Sequence, residues 1–169
     1  IKELIKRLKD LELEQNFDVM GRAYEFVVQK LGEQKQYGQY FTPRHIIHFM
    51  VELADPEIGE KIYDPAAGTG GFILRTFEVV KTKIDNRVNE GMRVNKSTAA
   101  FNGVQYDEAE MLCRKLKEES LYAVEKAPDV YKLALMNMIL HNDGKSNLFE
   151  ADSLDNRAQI EHKEKYDVV

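Results

Sequence analysis

The chain has 169 residues, of which 43% are hydrophobic and 31% are charged, and its formal net charge is −5 at pH 7. This composition is typical of one globular domain, and the acidic balance argues against a domain that grips a polyanion by itself, because non-specific nucleic-acid affinity comes from clustered Lys and Arg. The single cysteine, Cys113, excludes a disulfide within the chain and a cysteine-based zinc cluster. No long apolar run and no secretory segment occurs, so we expect a cytoplasmic protein without a membrane partner.

The first third of the sequence predicts helices. Apolar residues recur at intervals of three and four over residues 1–11, which indicates an amphipathic helix that packs against another element, and a second helix follows over residues 18–32. Thr42 followed by Pro43 predicts the start of a third helix, with the Thr42 hydroxyl as cap and Pro43 at the first helical position. We expect this helix to end at about Ala54.

From Lys61 onward, short apolar strands alternate with helices, which favours a parallel α/β sheet. The predicted strands are residues 61–63, 121–124, 148–149 and 166–169.

The segments between these strands differ in polarity. After the first strand we expect a helix to about Ile84, and residues 85–120 are polar enough to predict an insertion at the rim of the sheet with one short helix at most. Pro128 and Asp129 begin a helix over residues 130–141 that is apolar almost all round and is therefore expected to be buried.

The sequence YDPAAGTGGF, Tyr63 to Phe72, predicts a strand, a glycine-rich turn and the start of a helix. Three glycines allow the turn to adopt positive φ and to approach a ligand, whose anionic end can meet the unpaired amides of the helix N-terminus. Asp64, at the strand end, would repel a pyrophosphate but would bind an amino group, which favours an amino-acid-like cofactor. The turn also lacks the Gly-Lys-Ser/Thr ending of a P-loop.

Three acids, Asp64, Glu125 and Asp152, each follow an apolar strand. Because the carboxyl ends of parallel strands line the ligand crevice, we expect Glu125 to accept hydrogen bonds from ribose hydroxyls and Asp152 from an adenine amino group. The alternative for Glu125 and Asp152 is a solvated acid of a turn or helix cap. Asp85 lies near the spacing of about 20 residues that a dinucleotide fingerprint requires, but no strand precedes it, so we predict a surface acid.

The sequence GQYFTPR, Gly38 to Arg44, places two aromatic residues before a helix start whose free amides could bind a carboxylate. The alternative is a buried loop anchor with an ordinary cap. His45 and His48 lie three residues apart, but no third ligand accompanies them, so we predict no metal site. We expect Cys113 to be a packed or partly exposed thiol and Asn137 to satisfy a buried backbone group.

Together, GQYFTPR and DPAAGTGGF resemble the motifs of the modification (methyltransferase) subunits of type I restriction-modification systems, which are N6-adenine DNA methyltransferases. The resemblance covers nearly the whole chain. It implies a Rossmann-like S-adenosylmethionine-dependent methyltransferase fold of the α/β class, with N-terminal helices packed before the sheet. Residues 1–36 would form the helical segment, and residues 37–169 would form the S-adenosylmethionine-binding part of the methyltransferase domain.

The resemblance also implies a set of cofactor-binding residues and no metal. The aromatic residues before the third helix would close over the methionine end, Asp64 would bind the amino group, and the glycine turn would form the floor of the site. The full set is Gln39, Tyr40, Phe41, Thr42, Pro43, Arg44, Asp64, Pro65, Ala66, Gly68, Thr69, Gly70, Gly71, Glu125 and Asp152.

By the same resemblance, the catalytic motif Asn-Pro-Pro-Phe/Tyr is expected shortly after residues 166–169, so we assign no catalytic residue here and expect the chain alone to be inactive. The implied partners are the specificity and restriction subunits of the same system, with double-stranded DNA bound by the assembled complex. Two alternatives stay open: a methyltransferase of the same fold that acts on RNA or a protein amide, and a non-catalytic interaction module with a vestigial cofactor turn.

Overall fold

The computed structural model of the chain describes residues 23–24, 42–94, 101–144, 146–155 and 165–169. The predicted helix over residues 1–11 and most of that over 18–32 lie outside these ranges, although Ala23 and Tyr24 are helical. The elements, in chain order, are α1 (Arg44–Ala54), β1 (Ile62–Asp64), α2 (Gly71–Val94), α3 (Phe101–Lys115), a π-helical segment (Leu116–Ser120), β2 (Leu121–Glu125), α4 (Pro128–Leu140) and β3 (Asn147–Glu150).

The three strands form a parallel sheet in the order β1-β2-β3. Ile62 pairs with Leu121 at the start of β1, and Glu125 pairs with Glu150 at the end of β2 and β3. The predicted parallel α/β sheet is therefore confirmed.

The segment before Val169 lies on the other side of β1. Val168 forms a parallel bridge with Ile62, and the Tyr63 amide donates to the Val168 carbonyl at 2.9 Å. The prediction of a full strand over residues 166–169 is wrong in extent, because within the described part of the chain only Val168 pairs with the sheet.

The core lies between the sheet and α2, with a contribution from α4. Ile62, Leu121 and Ala123 are buried in one cluster with Met138 of α4. The helix α2 contributes apolar residues at helical spacing, namely Ile73, Leu74, Phe77, Val80 and Ile84.

The described residues of the polar stretch, 85–94 and 101–120, are helical, so the prediction of one short helix is wrong. Val88 extends the buried stripe of α2 by one more turn, and α2 and α3 pack against each other. Arg87 of α2 pairs with Glu108 of α3 at 3.4 Å on the surface. The prediction was wrong because the polarity of this stretch comes from the solvated faces of two packed helices.

The helix α4 is buried on one face only. Ala134 and Met138 are buried, whereas Met136 and Ile139 are 47% and 44% exposed. The prediction that an apolar helix is buried all round is therefore wrong, because α4 packs against the sheet and α2 on a single side. Among the described helices, none is long and apolar enough to cross a membrane.

Candidate functional site

The glycine-rich turn joins the end of β1 to the start of α2. Gly68 has φ 57° and Gly70 has φ 81°, as predicted for a turn that needs residues without Cβ. The Ala67 amide donates to the Val124 carbonyl at 2.9 Å, and the Gly70 amide donates to the Ala67 carbonyl at 2.8 Å. These bonds hold the turn against the carboxyl end of β2.

Gly71 has no positive φ, but the absence of a Cβ permits close packing here. It is the first residue of α2, and a Cβ at this position would lie 2.8 Å from Cδ1 of Ile47 in α1. The close approach brings α1, whose start carries part of the predicted site, against the beginning of α2.

Glu125 lies directly beside the turn. Its Oε2 accepts from the Gly68 amide at 2.9 Å, and its Oε1 accepts from the Ala127 amide at 2.7 Å, just before α4. The residue is only 9% exposed. Each carboxylate oxygen has a second lone pair, so Glu125 can still accept from a ligand hydroxyl while it anchors the turn.

Asp64 has one used and one unused oxygen. Its Oδ1 accepts from the Ala66 amide at 3.0 Å, while its Oδ2 is buried without a hydrogen-bond partner among the described residues. Burial raises the pKa of the Asp64 carboxyl, and the nearby charge of Glu125 raises it further, against the lowering effect of the Ala66 amide. A buried carboxylate with a free oxygen is a site for a cationic group.

Asp152 reaches the same edge of the sheet but is already paired. The Ala151 amide donates to the Glu125 carbonyl at 3.0 Å, which joins the end of β3 to the end of β2. Asp152 Oδ2 contacts Lys126 Nζ at 2.7 Å, and its Oδ1 accepts from the Leu154 amide at 3.0 Å. Lys126 lowers the pKa of Asp152. The sequence reasoning missed Lys126, although its position directly after Glu125 places it at this edge.

The remaining turn residues divide by exposure. Pro65 and Ala66 are exposed, and Thr69 is half-buried. The Thr69 carbonyl accepts from Nδ2 of Asn137 in α4 at 3.2 Å. The prediction that Asn137 satisfies a buried backbone group is therefore confirmed.

The start of α1 differs by one position from the prediction. Pro43, not Thr42, is the N-cap: its carbonyl accepts from the amides of Ile46 and Ile47 at 2.9 and 3.2 Å, and no side chain caps the helix. The predicted Thr42 hydroxyl cap is wrong because Thr42 lies one residue outside the helix. Thr42, Pro43 and Arg44 are exposed, and the predicted site residues Gln39, Tyr40 and Phe41 lie outside the described ranges.

Asp85, Cys113 and the two histidines of α1 lie outside the glycine-rich turn. Asp85 is on the surface of α2 and pairs with Lys81 at 3.4 Å. Cys113 is partly buried, and burial raises the pKa of its thiol, which makes it a weak nucleophile. His45 and His48 are exposed on α1, and among the described residues no group of three metal-ligating side chains could hold a metal ion.

The model of the N-6 DNA Methylase family matches residues 15–169. The chain belongs to this family. It is 32% identical over 143 residues to the EcoEI methylase subunit of a type I restriction enzyme from Escherichia coli, and the match covers 83% of this chain and 24% of that relative. It is 30% identical over 149 residues to the HindI methylase subunit from Haemophilus influenzae, covering 86% of this chain and 27% of that relative. The predicted similarity to type I modification subunits is thereby confirmed.

Two solved structures have similar folds. A chain from a type I restriction-modification system matches with a TM-score of 0.58 and 29% identity, over 81% of this chain and 24% of that one. A modification subunit from Vibrio vulnificus YJ016 matches with a TM-score of 0.54 and 28% identity, over 80% of this chain and 23% of that one. The chain therefore spans about a quarter of the length of these relatives.

Proposed function

We propose that this chain is the cofactor-binding portion of an S-adenosylmethionine-dependent methyltransferase that methylates the N6 amino group of adenine in DNA. The observation that carries the proposal is the buried Oδ2 of Asp64, which has no hydrogen-bond partner among the described residues and lies beside a turn with two positive-φ glycines. S-adenosylmethionine carries an ammonium group, which would satisfy that oxygen, whereas a dinucleotide would bring a pyrophosphate and repel it.

The order of the strands supports a Rossmann-like fold. The sheet runs β3-β2-β1, and Val168 pairs on the opposite side of β1. Along the chain, the strands are added on one side of β1, first β2 and then β3. Val168, which comes later in the chain, pairs on the other side of β1, so the direction of strand addition reverses there. In open parallel sheets, ligands bind at such a switch point, outside the carboxyl ends of the strands, where Asp64 lies.

Each acid at this edge has a proposed role toward the cofactor. Asp64 would hold the ammonium group, and Glu125 would accept from the ribose hydroxyls while keeping its bond to Gly68. Asp152 would bind the adenine amino group once its ion pair with Lys126 opens. The cofactor would supply an electrophilic methyl group on its sulfonium. The remaining predicted site residues would complete the site, namely residues 39–44 at the methionine end and Pro65, Ala66, Thr69, Gly70 and Gly71 along the turn.

The target adenine and the grip on DNA would involve parts of the system other than these 169 residues. The sequence contains no Asn-Pro-Pro motif for holding a flipped adenine, and the net charge is −5. By analogy with the relatives, we propose that the specificity and restriction subunits of the same system are the partners and that double-stranded DNA is bound by their assembly.

The test is a calorimetric titration with S-adenosylmethionine and with its demethylated product, S-adenosylhomocysteine. We expect saturable binding of both. In Asp64→Asn, the affinity should fall by about 1 to 3 kcal/mol, the value of a hydrogen bond to a charged group. The matched control is Asp85→Asn, which removes an exposed acid of α2 and should leave the affinity unchanged.

Absence of binding to the folded wild-type protein would contradict the proposal and would favour the non-catalytic interaction module. Equal affinities of Asp64→Asn and wild type would remove Asp64 from the site. A larger loss of affinity in Asp85→Asn than in Asp64→Asn would indicate that Asp85, which lies near the dinucleotide spacing, is the cofactor-binding acid.

A further inference from the structure

Asn137 connects the glycine turn to the helix behind it. It lies in α4, is 3% exposed, and donates from Nδ2 to the Thr69 carbonyl at 3.2 Å. The two residues are 68 positions apart in the sequence. Only the nitrogen of the Asn137 side-chain amide can face the Thr69 carbonyl, because the side-chain oxygen cannot donate a hydrogen bond.

The surrounding contacts show that α4 lies directly under this part of the turn. A Cβ at Gly70 would lie 3.5 Å from Cβ of Ala134, one helical turn before Asn137. The first half of the turn is fixed differently, because Ala67 bonds to Val124 and Gly68 bonds to Glu125, both of β2. The turn is thus anchored to β2 at one end and to α4 at the other.

The second polar atom of Asn137 indicates a role beyond stability. Its Oδ1 is buried and has no hydrogen-bond partner among the described residues. A buried acceptor without a partner destabilises the folded state, so this side chain does not maximise the stability of the protein.

We propose that Asn137 is a positioning residue that holds the Thr69–Gly70 half of the turn in its cofactor-binding conformation, without itself contacting the cofactor. This inference rests on the proposed function. The Thr69 peptide group lies between the two glycines with positive φ, where the backbone has the greatest freedom to reorient. The hydrogen bond from Asn137 limits that freedom before the ligand arrives, so that less conformational entropy is lost on binding.

The test compares Asn137→Ala with Asn147→Ala. Asn147 of β3 also donates from Nδ2 to backbone carbonyls, those of Glu118 and Leu121, at 3.0 and 3.3 Å. These bonds lie at the amino end of β2, about 13 Å along the strand from Glu125 at a rise of about 3.3 Å per residue. Both variants lose side chain to backbone hydrogen bonds, but only one of them is at the turn.

We expect Asn137→Ala to weaken S-adenosylhomocysteine binding roughly tenfold, the effect of one hydrogen bond. Asn147→Ala should change the affinity by less than about twofold, because its hydrogen bonds go to Glu118 and Leu121 and not to the turn. Both should melt at lower temperatures than wild type. Hydrogen exchange of the Gly70 and Gly71 amides, measured without ligand, should accelerate in Asn137→Ala and not in Asn147→Ala.

Unchanged affinity and unchanged exchange in folded Asn137→Ala would overturn the inference and leave Asn137 with a structural role. Equal losses of affinity in both variants would also overturn it, because the effect would then follow global stability. If Asn137→Ala does not fold, Asn137→Thr removes the amide at nearly the same side-chain volume and replaces it in both measurements. A wild-type protein that does not bind the ligand contradicts the proposed function itself, which separates the two failures.

Discussion

The carboxylates of Asp143 and Asp64, at the two edges of the sheet, differ in how completely they are hydrogen-bonded. At the amino edge, Asp143 is completely buried before β3, and its two oxygens accept from the Ser146 amide at 3.3 Å and the Ser146 hydroxyl at 2.5 Å. At the carboxyl edge, Asp64 uses one oxygen and leaves the other buried without a partner among the described residues. The first arrangement stabilises the fold, whereas the second leaves one buried acceptor without a partner among the described residues.

The same contrast holds for the two buried or half-buried asparagines. Asn147 at the amino edge bonds to two carbonyls. Asn137 at the carboxyl edge bonds to one carbonyl, and its Oδ1 has no partner within the described ranges. Asp64 Oδ2 and Asn137 Oδ1, both near the carboxyl edge, are buried without hydrogen-bond partners among the described residues. The comparison indicates that Asp143 and Asn147 at the amino edge are more fully hydrogen-bonded than Asp64 and Asn137 at the carboxyl edge.

The largest expected loss of stability comes from a substitution at the amino edge of the sheet. Asp143→Ala should lower the free energy of unfolding by about 3 kcal/mol, because it removes the acceptor of the Ser146 amide and hydroxyl inside the protein and leaves both donors unpaired. Chemical denaturation measures this change, and calorimetry should show unchanged S-adenosylhomocysteine affinity in the folded fraction. Asp143→Asn keeps one acceptor oxygen and should therefore lower the free energy of unfolding by less than Asp143→Ala. A loss of cofactor affinity in Asp143→Asn would break the separation between the two edges.

A smaller effect is expected at the turn. Gly70→Ala should lower the free energy of unfolding by about 1 to 2 kcal/mol, because an L-residue is strained at φ 81°, whereas the space at Ala134 permits the Cβ. Cofactor affinity should fall as well. Gly59→Ala is the matched control, since Gly59 has φ 95° and open space around it. Gly59→Ala should lower the stability of the protein and leave its affinity for the cofactor unchanged. Equal affinities in the two variants would contradict a role for the turn in binding.

The smallest expected effect is the pH dependence of Asp64. Its pKa in the folded chain is raised, so the folded state binds the proton more tightly than the unfolded state. The free energy of unfolding therefore falls as the pH rises from the ordinary carboxyl range through the raised pKa. Above that interval, Asp64→Asn should be more stable than wild type by about 1 kcal/mol, the lower end of the penalty for an unpaired buried group.

Thermal denaturation across this pH range, with and without ligand, measures the effect. Below the interval, the two proteins should have equal stability. With saturating S-adenosylmethionine at neutral pH, wild type should become the more stable protein, because the ammonium group pairs with the ionised carboxylate. An Asp64→Asn variant that is less stable than wild type without ligand would show that Asp64 serves the fold.

Much of the site could be predicted from the sequence because its signals are local. The strand before Asp64, the positive φ of Gly68 and Gly70, and the start of α4 at Pro128 each follow from a few neighbouring residues. The predictions failed where the outcome depends on distant residues. The length of α2 depends on packing against α3, and the exposed face of α4 depends on which side the sheet covers.

The sequence by itself determined which residue types lie at the carboxyl ends of the strands, because each short apolar strand is followed closely in the sequence by an acidic residue. Only the tertiary structure decided how those residues are used. It joined Gly68 to Glu125 across 57 positions, paired Asp152 with Lys126, and left Oδ2 of Asp64 without a hydrogen-bond partner in the part of the chain that the structure describes. The physical reason is that a hydrogen bond or a burial cost depends on which groups meet in space, and strand order and helix packing set those meetings.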